Sequence, residues 1–153
     1  MSQFIDLSHL IEDGMITYNG LPGPVISDHM SREDSESHYS DGTTFQIGTL
    51  KMVANTGTYI DAYFENHPFL TRDAAEYLKS SGAALVGIDS LNIDDTADGS
   101  RPAHSILLKA EIPIVEHMCH LDILPGKGFK FFAVPAPVQG MGSFPVRAFA
   151  LID

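Results

Sequence analysis

The sequence is poor in the features that direct a chain to membranes or nucleic acid. It has 9 Lys and Arg against 20 Asp and Glu, for a formal net charge of −11, and no basic run interrupts this acidity. Nucleic acid and anionic membrane surfaces are therefore unfavourable partners. No apolar run approaches the ~20 residues that a membrane-spanning helix needs. The first six residues lack both the basic start and the long apolar segment of a secretory signal.

Cysteine is also scarce. Cys119 is the only cysteine in the chain, so no internal disulfide can form, and we expect a protein of the reducing cytoplasm. Apart from histidines, nothing close to Cys119 in the sequence marks its thiol as activated. We therefore expect a small apolar side chain rather than a nucleophile.

The composition that remains is typical of one folded domain. The chain has 153 residues, of which 44% are hydrophobic and 19% charged, which is enough for a single domain over 1–153 with a buried core. Thr71 and Asp73 predict a helix that ends at Gly82, and Pro102 predicts the start of a second helix. The acidic stretch over 28–41 predicts a solvated loop.

The order of the remaining patterns predicts an α/β fold in which about two helices cover a mixed β-sheet. We expect the last two strands to form an antiparallel pair. The predicted helices are 71–81 and 102–110, and the predicted strands are 4–7, 43–54, 83–88, 112–115, 129–134 and 146–152.

Three ionisable residues follow or begin predicted elements. Asp61 ends a Gly-Thr turn, His104 lies in the first turn of the second helix, and Glu116 follows a strand. One imidazole and two carboxylates can bind a divalent cation such as zinc or manganese, and such a cation supports amide hydrolysis. The residues alone favour a simpler alternative, in which His104 caps or packs on its helix and Glu116 forms an ordinary ion pair.

Short blocks spread over nearly the whole chain carry a resemblance to a known family. They are Asp6-Leu7-Ser8-His9 with Glu12-Asp13-Gly14-Met15, Thr56-Gly57-Thr58 with Asp61, Leu85-Val86-Gly87-Ile88-Asp89, His104-Ser105-Ile106-Leu107-Leu108, Ile114-Val115-Glu116 and Pro145-Val146-Arg147-Ala148. In this order they resemble the cyclase family of metal-dependent hydrolases, which includes kynurenine formamidase and isatin hydrolase. The resemblance implies a swivelling β/β/α-like fold, a divalent metal and a small-molecule substrate.

The resemblance also implies a set of metal ligands. The family holds its metal with two motif histidines, the motif aspartate, and a later histidine and glutamate. Asp61, His104 and Glu116 match three of these ligands, whereas Asn55 and Tyr59 stand where the motif histidines would be. An asparagine offers only a carbonyl oxygen, and a tyrosine must ionise from a pKa of about 10. We therefore expect Asn55 and Tyr59 either to complete the metal shell or to orient the substrate carbonyl.

A second departure from the family follows the motif aspartate. Family members place a proline and a proton-transferring histidine soon after it, whereas Asp61 leads directly into residues 62–71, which resemble a later block. The chain therefore looks as if an internal segment after Asp61 is missing. His67 either replaces the lost base or, as we favour, packs near the start of the next helix. Missing strands would expose sheet edges, so we expect a homodimer or a larger homo-oligomer.

Two functions agree with these features. The first is a metal-dependent hydrolase acting on a C–N bond of an amide, aryl formamide or cyclic imide, in which Glu116 also steers or accepts the proton of a water. The second is a catalytically silent relative that binds a small molecule or an assembly partner. The motifs favour the hydrolase as the family, and they leave the activity of this chain open.

Overall fold

The strands that the structure describes are arranged in three small sheets. The computed structural model describes residues 3–16, 20–38, 43–58, 67–140 and 142–152. In chain order the elements are β1 (Gln3–Asp6), β2 (Val25–Met30), α1 (Arg32–Ser35), a 3-10 turn (Glu36–His38), β3 (Ile47–Lys51), α2 (Arg72–Ser80), β4 (Val86–Gly87), α3 (Pro102–Lys109), β5 (Ile114–Val115), a second 3-10 turn (Leu121–Ile123), β6 (Phe129–Pro135) and β7 (Val146–Ile152). The sheets are β1–β7–β6, the β2–β3 pair and the β4–β5 pair.

The predicted α/β class is confirmed, because helices accompany both parallel and antiparallel strands. The two predicted helices correspond to α2 and α3, and the predicted final pair corresponds to β6 and β7, which are antiparallel. The β4 and β5 strands pair in parallel over two residues each, so they are shorter than predicted. No helix in the described ranges is long and apolar enough to cross a membrane.

The prediction of a solvated loop over 28–41 is wrong for much of its length. β2 extends into this stretch, and α1 and a 3-10 turn follow. The hydroxyl of Ser31 accepts the N–H of Asp34 at 3.1 Å, and the Asp34 carboxylate accepts the backbone N–H of Ser31 at 3.4 Å. This reciprocal cap starts a short helix, and hydrogen bonding from Ser31 lowers the pKa of the Asp34 carboxyl. Residues 39–42 lie outside the described ranges.

One core lies beneath the three-stranded sheet, whose central strand is β7. Side chains alternate along this strand between two faces. Ala148 and Ala150 are fully buried on the inner face, whereas Phe149 stacks between Phe4 and Phe132 on the other, with ring centroids 5.0 and 4.8 Å apart. The buried residues of this core are Ile5, Leu7, Val115, Met118, Ala148 and Ala150.

A second core lies between α2, α3 and the β4–β5 pair. Thr71 caps α2 as predicted, because its hydroxyl accepts the N–H of Ala74 at 3.2 Å. The buried residues of this core are Ala75, Val86, Ile93, Ala103, Ile106, Leu107 and Ile112. Since Ile93 belongs to the loop before α3, this packing fixes that loop against the start of the helix.

Gly57 holds the motif turn in a conformation that other residues rarely adopt. Its φ is +112°, and a Cβ at this position would lie 3.3 Å from side-chain atoms of both Ile11 and Pro145. We expect Gly57→Ala to lower the free energy of unfolding by about 1–3 kcal/mol, as measured by denaturant unfolding. Gly99→Ala is the matched control, because Gly99 has open space around it and no left-handed φ. Equal losses in the two variants would contradict this role of the turn.

Candidate active site

The loop between β4 and α3 is shaped by one asparagine side chain. Oδ1 of Asn92 accepts the backbone N–H of Asp94 at 3.0 Å and a guanidinium N–H of Arg101 at 2.8 Å. Arg101 has a left-handed φ of 45° immediately before α3. Pro102 begins the helix, where its missing N–H costs no hydrogen bond. The loop therefore brings Asp94 to the N-terminus of α3.

Asp94 is fully buried and hydrogen-bonds the first turn of α3. Its Oδ1 accepts the N–H of Ala103, and its Oδ2 accepts the N–H of His104 at 3.1 Å. The same Oδ2 lies 2.6 Å from Nδ1 of the His104 ring. These contacts satisfy the buried carboxylate, which the positive end of the helix also favours. The ring is held with Nδ1 on Asp94, so Nε2 points elsewhere.

Glu116 directly follows β5 and is largely buried, with its side chain 7% exposed. Its Oε1 accepts the N–H of Ile93 at 2.7 Å. The same Oε1 lies 3.6 Å from Nε2 of His104. The structure thus brings together two of the residues that the sequence analysis selected. Their role as metal ligands stays a prediction.

The His104 and Glu116 pair has the spacing of two ligands on one cation. Ligands that bind a tetrahedral ion at about 2.0–2.2 Å lie roughly 3.4 Å apart, and the observed separation is 3.6 Å. Asp94 contacts Nδ1 as carboxylates commonly do when they orient a metal-binding imidazole. No group of three His, Cys, Asp or Glu suited to a metal occurs in the part of the chain that the structure describes. The pair therefore fits a divalent ion as two of its ligands, and others must come from elsewhere.

The remaining predicted site residues belong to the motif turn. Tyr59 and Asp61 lie outside the described residues, as does the junction after Asp61. Asn55 is partly buried, and its Oδ1 accepts the hydroxyl of Ser143 at 3.4 Å. Its neighbour Thr56 lines a cavity that Glu116 also lines. Thr56 of the motif turn and Glu116 therefore line the same cavity.

This cavity has a volume of about 520 Å³ and mostly apolar walls. Glu116 is the only charged residue among the described residues that line it. The hydroxyl of Thr58 donates to the carbonyl oxygen of Val146 at 3.0 Å. By contrast, Oγ1 of Thr56 is buried and has no hydrogen-bond partner among the described residues. A cavity of this size and character suits a small molecule.

His67 packs near the start of α2, which agrees with the favoured expectation. Its ring is buried, and Nδ1 lies 3.0 Å from both the carbonyl oxygen of Pro68 and Oγ of Ser90. The ring also meets Phe69 edge-on, with centroids 6.1 Å apart. These contacts give His67 a structural role.

The histidines around Cys119 do not form a metal cluster within the described ranges. Nδ1 of His120 lies 3.1 Å from the carbonyl oxygen of Asp6 and 3.4 Å from Sγ of Cys119. Burial, and then the charge of Asp6, raises the pKa of the Cys119 thiol. Burial, and then the charge of His120, lowers the pKa of His9. A protonated thiol is a poor nucleophile, so these surroundings support the expectation of an unreactive cysteine.

Asp94 is the site residue that the sequence analysis does not select. It lies eight residues before Pro102, which is too far for the usual helix-capping pattern. Its contact with α3 depends on the path of the whole intervening loop. The only local signal is Asn92, a residue type that commonly closes a turn through its own side chain.

The fold is shared with solved metal-dependent hydrolases. A predicted metal-dependent hydrolase from Bacillus stearothermophilus superposes with a TM-score of 0.78 and 18% identity over 100% of both chains. Isatin hydrolase A from Ralstonia solanacearum superposes with a TM-score of 0.75 and 13% identity, over 99% of this chain and 92% of the other. At such low identity these similarities show the fold alone.

Curated relatives point to the same group. The kynurenine formamidase of Geobacillus thermodenitrificans (strain NG80-2) is 30% identical over 103 residues, which are 66% of this chain and 49% of that protein. The kynurenine formamidase of Bacillus cereus (strain ATCC 10987 / NRS 248) is 32% identical over 103 residues, with the same shares. The chain spans about half the length of the curated relatives it matches. No protein-family model matches it.

The solved structures share the fold of this chain, and the curated relatives share part of its sequence. They confirm the resemblance to the cyclase family that the sequence blocks predict. The chain is similar to the kynurenine formamidases in sequence and to isatin hydrolase in fold.

Proposed function

We propose that this chain is a metal-dependent hydrolase that cleaves a C–N bond of a neutral amide, aryl formamide or cyclic imide. The observation that carries the proposal is the 3.6 Å separation of Nε2 of His104 and Oε1 of Glu116 beside a cavity of small-molecule size. The similarity to kynurenine formamidases supports the same reaction class.

The chemistry divides between a bound ion and the side chains. A zinc or manganese ion would lower the pKa of a coordinated water and polarise the substrate carbonyl. His104 and Glu116 would hold that ion, with Asp61 as a further ligand. The N–H of Ile93 fixes the Glu116 carboxylate, which is thereby oriented to steer or accept the proton of the attacking water.

Asn55 and Tyr59 have a supporting role in this proposal. They stand where the family has its two motif histidines, and Asn55 directly precedes the cavity-lining Thr56. A side-chain amide and a phenol can complete an ion's shell through oxygen, or hydrogen-bond a carbonyl. We assign them to the ion's shell or to orientation of the substrate carbonyl.

The cavity favours a neutral substrate. No Lys or Arg occurs among its described lining residues, so a substrate carboxylate would be buried without a counter-ion, which is costly. Apolar walls that include Leu85, Val115 and Phe144 suit a hydrocarbon or aromatic ring.

A hydrolysis assay tests this proposal. The protein is saturated with zinc or manganese and given a neutral aryl formamide or its carboxylate-bearing analogue, with metal-free protein as the control. We expect metal-dependent hydrolysis, with kcat/KM for the neutral compound at least about tenfold higher, or ~1.4 kcal/mol. No hydrolysis with either metal would contradict the proposal.

A catalytically silent relative is the second candidate. It is favoured by the exchange of both motif histidines for Asn55 and Tyr59, and by the finding that the described residues bring only two of the family's ligands together. In that case the cavity binds a small molecule, or the chain serves an assembly partner, without turnover. Protein that takes up neither added zinc nor added manganese, and hydrolyses no aryl formamide, would support this candidate.

The proposal includes a homodimer or larger homo-oligomer in the cytoplasm. Among the described strands, β6 pairs only with β7, which leaves its other edge open. Val134 on this strand is 73% exposed, and an open apolar edge favours pairing with a second copy. The single cysteine is the ground for a reducing compartment.

A further inference from the structure

We infer that Asp94 is a positioning residue that sets the tautomer of His104, holding the ring proton on Nδ1 and leaving the Nε2 lone pair directed at Glu116. The consequence for metal binding rests on the proposed function. The tautomer itself does not, because it follows from contacts within the chain.

The Asp94 carboxylate can accept hydrogen bonds but cannot donate them. Its Oδ1 accepts the N–H of Ala103, and its Oδ2 accepts the N–H of His104. Both backbone donors belong to the first turn of α3, whose positive end attracts a carboxylate. A carboxylate has no proton to give. Its 2.6 Å contact with Nδ1 is therefore a hydrogen bond that the ring donates.

The other ring nitrogen of His104, Nε2, faces Glu116. With the proton on Nδ1, Nε2 of a neutral ring is an acceptor. It faces Oε1 of Glu116 at 3.6 Å, and that oxygen already accepts the N–H of Ile93. Two electron-pair donors thus face each other across a gap that a shared cation would fill. The opposite tautomer would place a hydrogen on Nε2 and block that position.

Burial and the shape of the loop hold Asp94 in this arrangement. Asp94 is fully buried and is held by the same loop that Asn92 and Arg101 shape. Rotating its carboxylate away from Nδ1 would also break the cap of α3. The ring proton is thus tied to the start of the helix, and the tautomer is fixed before any ion binds.

The tautomer can be measured directly in metal-free protein. Two-bond proton–nitrogen NMR spectra of uniformly 15N-labelled protein distinguish the protonated from the unprotonated ring nitrogen, and His104→Gln identifies the His104 signals by their loss. The pH is raised until the ring shifts no longer change, so that the neutral form is observed. We expect a protonated Nδ1 and an unprotonated Nε2.

Asp94→Asn is the informative variant. Its amide oxygen can still accept from the helix, while its NH₂ group turns a donor toward Nδ1. We expect the proton to move to Nε2 and the zinc affinity to fall about 10–100-fold. Asp95→Asn is the matched control, because it removes the same charge one residue away. The Asp95 carboxylate accepts the N–H of Ala97 at 2.9 Å. We expect the control to change neither measurement.

Several outcomes would overturn the inference. The inference is wrong if the neutral His104 ring of wild-type protein carries its proton on Nε2, and this result stands even if Asp94→Asn does not fold. It is also wrong if Asp94→Asn folds and keeps the proton on Nδ1. Wild-type protein with the expected tautomer but no affinity for zinc or manganese would instead overturn the proposed function and support the inference about Asp94.

Discussion

His104→Ala is expected to abolish stoichiometric zinc binding and, with it, hydrolysis. The substitution removes the nitrogen that lies 3.6 Å from Oε1 of Glu116, leaving Glu116 as the only described member of the ligand pair. Outer-shell partners of a metal site typically contribute 10–100-fold to affinity, so we expect loss of a ligand to cost more than about 100-fold. Zinc content after dialysis and calorimetric titration measure this effect.

The control for this variant must separate a lost ligand from a damaged fold. Alanine is a better helix former than histidine, and Asp94 keeps its two backbone donors from α3, so we expect a cooperative unfolding transition in His104→Ala. His29→Ala is the matched histidine deletion, because His29 lies exposed on β2. If wild-type protein binds zinc and both variants bind it equally well, the proposed site is wrong.

The sequence predicts the main elements of the site because their signals are local. Pro102 marks the start of α3 and so places His104 in its first turn, and a short apolar run before Glu116 indicates β5. The residue types alone favour separate roles for His104 and Glu116, and the family resemblance is what favours their meeting in space. In the structure, the parallel pairing of β4 with β5 and the packing of α3 on that pair bring His104 and Glu116 together.

Where prediction was wrong or incomplete, the missing information was not local. Asp94 meets His104 because of the loop path set by Asn92 and Arg101, which no periodic pattern encodes. The strand predicted over 112–115 is reduced to Ile114–Val115 because Pro113 has no N–H for the ladder. The charge of the acidic stretch predicts a loop, but the reciprocal cap between Ser31 and Asp34 starts α1 there.

Blocking the cavity is expected to slow hydrolysis without removing the metal. Ala136 follows β6, lines the cavity and is exposed, so a larger side chain can be placed there with little disturbance of the fold. We expect Ala136→Trp to raise KM and lower kcat/KM for a neutral aryl formamide by at least about tenfold, or ~1.4 kcal/mol. Steady-state kinetics on zinc-loaded protein, with zinc content measured in parallel, tests this.

Gln139→Trp is the control for this experiment. Gln139 follows Ala136 by three residues and is exposed, but it is not among the described residues that line the cavity. An indole there adds the same apolar surface and should leave kcat/KM unchanged. Loss of substrate binding alone raises KM and leaves kcat largely intact. If Ala136→Trp shows this pattern at equal zinc content and the control variant does not, the substrate enters beside Glu116. Equal losses in the two variants would mean that the cavity is not where the substrate binds.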